Sequence, residues 1–221
     1  MFSRDPGNVV RRQVLGALCW LAGVEFFVAE AVARSVAIGY SAVDQDISLL
    51  GLTACGPYRL PVVKLTFDVC SPLHDVLNGG LVLLGALWIA GAWLTRDFWP
   101  ATRLARASLV MIGIGGIGMA LCGVLALDGN APIHIAGAIL HFVIGAPGIV
   151  LLGLSQRSSR PGMAIFAVTL GSLGFLVFLL YGGEIYLGLG RGGMERLAAY
   201  STTLWMIATG AVVLRRCWRQ R

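Results

Sequence analysis

Apolar residues along the chain gather into six long blocks, separated by short stretches rich in charge, proline or glycine. The blocks cover residues 13–36, 72–94, 104–127, 132–154, 162–187 and 194–214. Each has the roughly 20 residues needed to cross a hydrocarbon core of about 30 Å at about 1.5 Å per residue. The pattern therefore predicts an all-α, polytopic six-helix transmembrane bundle forming one domain over residues 1–221. Pro72 and Pro132 open the second and fourth blocks, where a missing N–H costs a helix nothing. Ser71 before Pro72 reads as a helix N-cap. Only residues 37–71 form a long connection, which predicts short ordered elements or a functional role in that loop. The remaining connections are short, so neighbouring helices should run antiparallel.

Composition agrees with the pattern. Of 221 residues, 57% are hydrophobic and 13% charged, and the mean hydropathy is +0.80. A soluble domain carries about 25% charged residues, so a soluble enzyme, a disordered chain and an ordinary nucleic-acid-binding domain are excluded. The net charge of +6 invites a polyanion partner, but the placement of the basic residues gives another reason for it. Twelve of the 17 lie in the N-terminus (Arg4, Arg11, Arg12), the second and fourth connections, and the C-terminal tail (Arg215, Arg216, Arg219, Arg221). Arg34, Arg59, Lys64, Arg191 and Arg196 lie on the other side. This bias predicts cytoplasmic termini, an exoplasmic 37–71 loop and residence in the inner cell membrane, with no nucleic-acid partner. Arg11-Arg12 and a small-residue stretch near Ala31 resemble an export signal. Glu25 and Glu30 interrupt the apolar core of that segment, which favours a retained helix.

Cys55 and Cys70 share the exoplasmic loop, a compartment that permits oxidation, and are candidates for a disulfide. The 30 glycines fall mostly inside the blocks, where small residues let helices approach closely. Gly113-Ile114-Gly115-Gly116-Ile117-Gly118 matches a dinucleotide-binding pattern, but no strand precedes it, so it reads as helix packing.

Ionisable groups inside a span are costly and are functional candidates by default. Here they concentrate in the middle and outer parts of the spans. Glu25, His74, Asp75 and His134 are the candidate catalytic groups, with a histidine as base and Glu25 or Asp75 as carboxylate partner. Glu30, Ser71, Asn78, His141, Glu184, Glu195, Arg196 and Tyr200 are candidates for contacting a ligand. Ser71, His74, Asp75 and Asn78 stand at i, i+3, i+4 and i+7, one helical face. No cofactor is predicted. The donor set that would admit a divalent metal is His74, Asp75 and His134 with a carboxylate of the first span. His134 and His141 are about 10.5 Å apart along their helix and unsuited to sharing an ion. Three histidines are too few for a four-histidine, two-haem arrangement. The structural alternatives are a Glu30–Arg34 pair at i, i+4, Glu195 and Arg196 at a membrane boundary, and Tyr181, Tyr186, Tyr200, Trp88, Trp93 and Trp205 among the interface anchors.

Several short motifs, in order, carry a family resemblance: Tyr40-Ser41, Ile47-Ser48-Leu49-Leu50-Gly51, Ser71-Pro72-Leu73-His74 with Asn78, Gly123-Val124, His134-Ile135-Ala136-Gly137-Ala138, and Gly193-Met194-Glu195-Arg196 with Tyr200 and Trp205. From about Val14 to Leu214 the chain resembles a prokaryotic family of six-helix membrane proteins of unknown function, grouped near the Frag1/DRAM/Sfk1-like proteins. The resemblance implies the fold and no particular activity. Taken together, the residues point to an intramembrane polar pocket facing the exoplasm, whose partners are membrane lipids or a hydrophobic small molecule that it binds or modifies. The alternatives are an accessory subunit with a purely structural polar cluster and, third, a small-molecule transporter.

Overall fold

The computed structural model describes residues 6–219; Arg4 and Arg221 lie outside them. Six helical spans are long and apolar enough to cross a membrane. The first consists of α1 (Pro6–Leu21), a 3-10 turn (Ala22–Val24) and α2 (Glu25–Val36). The second is α3 (His74–Leu94) and the third α4 (Arg103–Val124). The fourth runs through α5 (Ala131–Ile139), a π-helical segment (Leu140–Gly145) and α6 (Ala146–Ser155). The fifth is α7 (Pro161–Gly182) and the sixth α8 (Gly190–Trp218).

Local chemistry sets the ends. Thr102 and Asn130 cap α4 and α5, accepting from the N–H groups of Ala105 at 3.1 Å and Ile133 at 3.2 Å. The fifth span stops at Gly182, short of the expected 187. Glu184, Leu187, Gly188 and Gly190 all have positive φ, and such a run cannot continue a right-handed helix. The sixth span consequently starts at Gly190, which brings Arg191 into it. Ser71 is not the cap expected: Leu73 holds that position, and Ser71 Oγ donates to the Leu50 carbonyl at 2.7 Å.

The spans pack in chain order into a closed ring, with the sixth returning against the first. Trp20, Trp88, Trp205 and His141 fill the middle, with ring centroids 5.4 Å apart for Trp20–Trp205 and 4.7 Å for Trp88–His141. Trp88 and Trp205 are 0% and 2% exposed, so they are core residues and not interface anchors. Trp93 is exposed, with the guanidinium groups of Arg12 and Arg96 over its ring. The glycine run of α4 works as helix packing. Gly116 lies against the backbone of Gly85, Gly115 against Gly145 and Gly118 against Gly137, where any Cβ would collide.

The long loop departs from an all-α chain. It folds into a 3-10 turn (Ile47–Gly51) and an antiparallel hairpin of β1 (Gly56–Arg59) and β2 (Thr66–Val69), in register Gly56↔Val69 and Arg59↔Thr66. Cys55 and Cys70 are disulfide-bonded, and Ile38 bridges to Cys70. Ser71 Oγ and Asn78 Nδ2 hold the carbonyls of Leu50 and Gly51, while Asp128 accepts from the N–H groups of Thr53 and Ala54. The loop is thus a cap fastened over one end of the bundle.

Candidate functional site

The first turns of α8 carry Arg191, Glu195, Arg196 and Tyr200 towards the underside of that cap. Arg191 Nε donates to Asp46 Oδ2 at 2.9 Å, Nη1 to the Tyr186 hydroxyl at 3.2 Å and Nη2 to the Tyr181 hydroxyl. Its guanidinium also lies over the Tyr181 ring. Arg196 Nε donates to Glu30 Oε1 at 2.8 Å. Its Nη1 serves the carbonyls of Ala42, Gln45 and Gly192, and its Nη2 the Tyr40 hydroxyl. Tyr200 donates to Glu30 Oε2 at 2.7 Å. Glu195 Oε2 accepts from the backbone N–H of Ile47.

Glu30 is 2% and Asp46 1% exposed. Bare carboxylates that deep are strongly disfavoured, and a guanidinium fork with further hydrogen bonds offsets the lost hydration. Burial pushes the Asp46 carboxyl up from its ordinary range, while Arg191 beside it pulls the other way. Burial likewise raises the Tyr40 hydroxyl.

Beside this network is a cavity of about 470 Å³. Its apolar wall includes Ile139, Phe142, Val143, Phe178 and Leu179, and its polar end Asp46, Ser48, His134, Tyr181, Arg191 and Glu195. Loop residues from Leu60 to Val63 cover it. The cavity exists because α5 and α7 part company: α7 packs along α6 and reaches the π segment but scarcely meets α5. Pro147 explains the irregularity between α5 and α6. Without an N–H it cannot bond the carbonyl four residues back, and Ala146 N–H bonds instead to His141, five residues back. Ile139 and Leu179, 45% and 48% exposed, place the mouth on the outer flank of the bundle.

Of the residues singled out from sequence, Glu30, Glu195, Arg196 and Tyr200 come together in the ionic network. His134 lines the cavity, with Nδ1 held at 2.9 Å by the Leu125 carbonyl. The other candidates lie apart. His74 Nδ1 is 2.9 Å from the Ser71 carbonyl, and Asp75 beside it has a 93% exposed side chain. Glu25 lies against Gly80, its Oε1 buried without a hydrogen-bond partner. His141 is fully buried between the Gly115 carbonyl and the Thr202 hydroxyl, at 3.1 and 3.2 Å. Glu184 is exposed on the turn after α7, and Ser71 and Asn78 fasten the loop. The expected meeting of Glu25, His74, Asp75 and His134 at the cavity is therefore absent, since His134 alone of the four lines it. His74, Asp75 and His134 do not assemble as metal ligands: among the described residues no three His, Cys, Asp or Glu side chains do. Glu30 pairs with Arg196, not Arg34, which is exposed. Arg196 is buried and Glu195 half-buried, both within the ionic network.

Sequence reasoning passed over Asp46, Arg191, Tyr40 and Tyr181 as site residues. A signal for Arg191 was present. Arg191 and Arg196 are among the five basic residues on the side opposite the Arg-rich connections. Cations kept against that bias call for a partner.

Comparison with curated proteins and with solved structures finds no match, and nothing ties the chain specifically to the Frag1/DRAM/Sfk1-like proteins. A family model matches residues 20–212, which takes in the second half of the first span, the second to fifth spans, most of the sixth, the cap, the ionic network and the cavity, and the chain accordingly belongs to the family described as protein of unknown function DUF998.

Proposed function

We propose that the protein binds a hydrophobic small molecule or lipid of one-chain size in the cavity between α5 and α7, with its polar end towards α8 and its apolar part along the aromatic and aliphatic wall. The cavity itself carries this reading. A volume of about 470 Å³ falls in the range of ligand sites, about 300–1,000 Å³, and its mostly apolar lining with a few convergent polar groups has their character. The Arg-rich connections favour a cytoplasmic location for both termini, so the cap and the cavity face the exoplasm.

The test is to fill the space. Ala138 lines the cavity, and Ala138→Trp projects an indole into it. Native mass spectrometry of protein purified in a mild detergent should find an amphiphile retained by the wild type and lost from a folded Ala138→Trp variant. Equal retention by both would remove the cavity as the site. Orientation is tested separately by labelling Asp44→Cys with a membrane-impermeant maleimide in intact cells; protection of that exposed position would reverse the assignment.

A second reading rests on a different observation. Every nitrogen of the Arg191 and Arg196 guanidinium groups is used within the protein. That is the pattern of a structural clamp, and it suits an accessory subunit whose polar cluster holds the cap in place.

A further inference from the structure

The polar end of the cavity has an imbalance of charge that identifies the kind of head group it would receive. Three carboxylates gather under the cap, from Glu30, Asp46 and Glu195, against two guanidinium groups, from Arg191 and Arg196. Arg191 is committed to Asp46 and Arg196 to Glu30. Glu195 has no ion-pair partner of its own among the described residues, and its one hydrogen bond is to the Ile47 N–H. It lines the cavity together with Asp46, whose Oδ1 is buried without a hydrogen-bond partner. His134 adds an acceptor: its Nδ1–H is taken by the Leu125 carbonyl, which leaves Nε2 of the neutral ring as a lone pair. Ser48 supplies a hydroxyl. The guanidinium nitrogens that would suit a phosphate or carboxylate are already occupied.

Aromatic side chains line the same space. Phe142 and Phe178 stack with centroids 4.5 Å apart, and Tyr181 continues the stack 6.1 Å from Phe178. The Tyr181 ring already holds the Arg191 guanidinium, a cation on an aromatic face at this end of the cavity. The two guanidinium groups near Glu195 are each in close contact with another carboxylate, so three carboxylates share two cations, and the third is balanced by a cation or a proton.

We propose that the cavity selects an amphiphile with a cationic, hydrogen-bond-donating head, of the alkylammonium class, whose nitrogen is received by Glu195 with Asp46 and His134 beside it and whose chain lies along Ile139, Val143 and Leu179. The proposal rests on the cavity being a binding site, as argued above, and specifies what enters it. An anionic amphiphile would add a fourth negative group to three carboxylates that share two guanidinium groups. A neutral alcohol would satisfy hydrogen bonds and leave the charge unmatched.

Three probes with the same chain separate these cases: dodecylamine, dodecanol and dodecanoate. Each is titrated into the purified full-length protein in neutral maltoside micelles, with Ala138→Trp measured in parallel to subtract partitioning into the micelle. Dodecylamine should bind at least tenfold more tightly than either of the others. Glu195→Gln keeps the acceptor for Ile47 and removes only the charge; it should bring dodecylamine affinity to within threefold of dodecanol affinity on the same variant. Dodecanoate binding as well as dodecylamine, or an amine preference that survives Glu195→Gln, would overturn the proposal. Should Glu195→Gln fail to fold, the ranking of the three heads on the wild type decides alone. Binding of dodecanol or dodecanoate, sensitive to Ala138→Trp and without amine preference, would sink this inference and leave the cavity reading standing. Failure of all three probes to bind would overturn both.

Discussion

Arg196→Ala removes the cation that neutralises Glu30 and ties α8 to the cap. Glu30 is 2% exposed and would keep only the Tyr200 hydroxyl, the Ala42 carbonyl would lose its donor, and the Gln45 carbonyl would keep only the Tyr40 hydroxyl. Stripping one partner from a buried ion pair costs about 3–5 kcal/mol, most of it the penalty of the stranded charge. For a chain of this size about 1 kcal/mol corresponds to about 2–4 °C in Tm, so the variant should melt roughly 6–20 °C below the wild type. Thermal unfolding in detergent can be followed by the reaction of the buried Cys122 thiol with a fluorogenic maleimide. The decisive measurement is the double variant. Adding Glu30→Gln to Arg196→Ala discards the stranded carboxylate, so the double should be more stable than the Arg196→Ala single by about 1–2 kcal/mol. A double variant less stable than that single, as independent effects would give, refutes the pairing. So does an Arg196→Ala shift below about 2 °C, the size expected of an exposed surface charge.

Three further outcomes follow from the same contacts. Tyr200→Phe removes a charge-assisted hydrogen bond of 2.7 Å and should lower stability by about 1.5–3 kcal/mol in the same assay. Cys70→Ser opens a disulfide spanning 15 residues, and the loop-closure account puts its loss at about 3 kcal/mol; an unchanged Tm with added reductant would contradict it. Gly113→Ala meets no atom within 4 Å and should be tolerated, whereas Gly118→Ala drives a methyl into the backbone of Gly137 and should cut the folded yield sharply by size-exclusion chromatography.

The origin of each element explains how much of it could be read in advance. Hydropathy alone marks all six spans, because a span must satisfy its backbone internally and cover itself in apolar side chains whatever its neighbours are. Their ends are legible where a local signal acts, as at Pro132 in the first turn of α5, and misjudged where the chain turns on its backbone, as in the positive-φ run after Gly182. Ser71 and Asn78 drew attention as polar groups at a helix start, but whether they cap the helix or grip the loop depends on where the loop lies.

The candidate site divides in the same way. Sequence marked Glu30, Glu195, Arg196, Tyr200 and His134, since an ionisable or polar group in a span stands out against its surroundings. It offers Arg34 as a structural alternative for Glu30 because i, i+4 is the one pairing a lone helix can supply; the actual partner lies 166 positions away. It could not tell that Asp46 leaves the loop to meet Arg191, or that Glu25, His74 and Asp75 point elsewhere. Nor could it foresee a cavity, which arises from the parting of α5 and α7 beside Pro147. Solvent preference is a property of each residue and its near neighbours, so the sequence by itself determined the membrane, the six spans and the short list of costly polar groups. Which charges neutralise one another, and which is left facing an empty space, depends on helices far apart in the chain, and that only the tertiary structure decided.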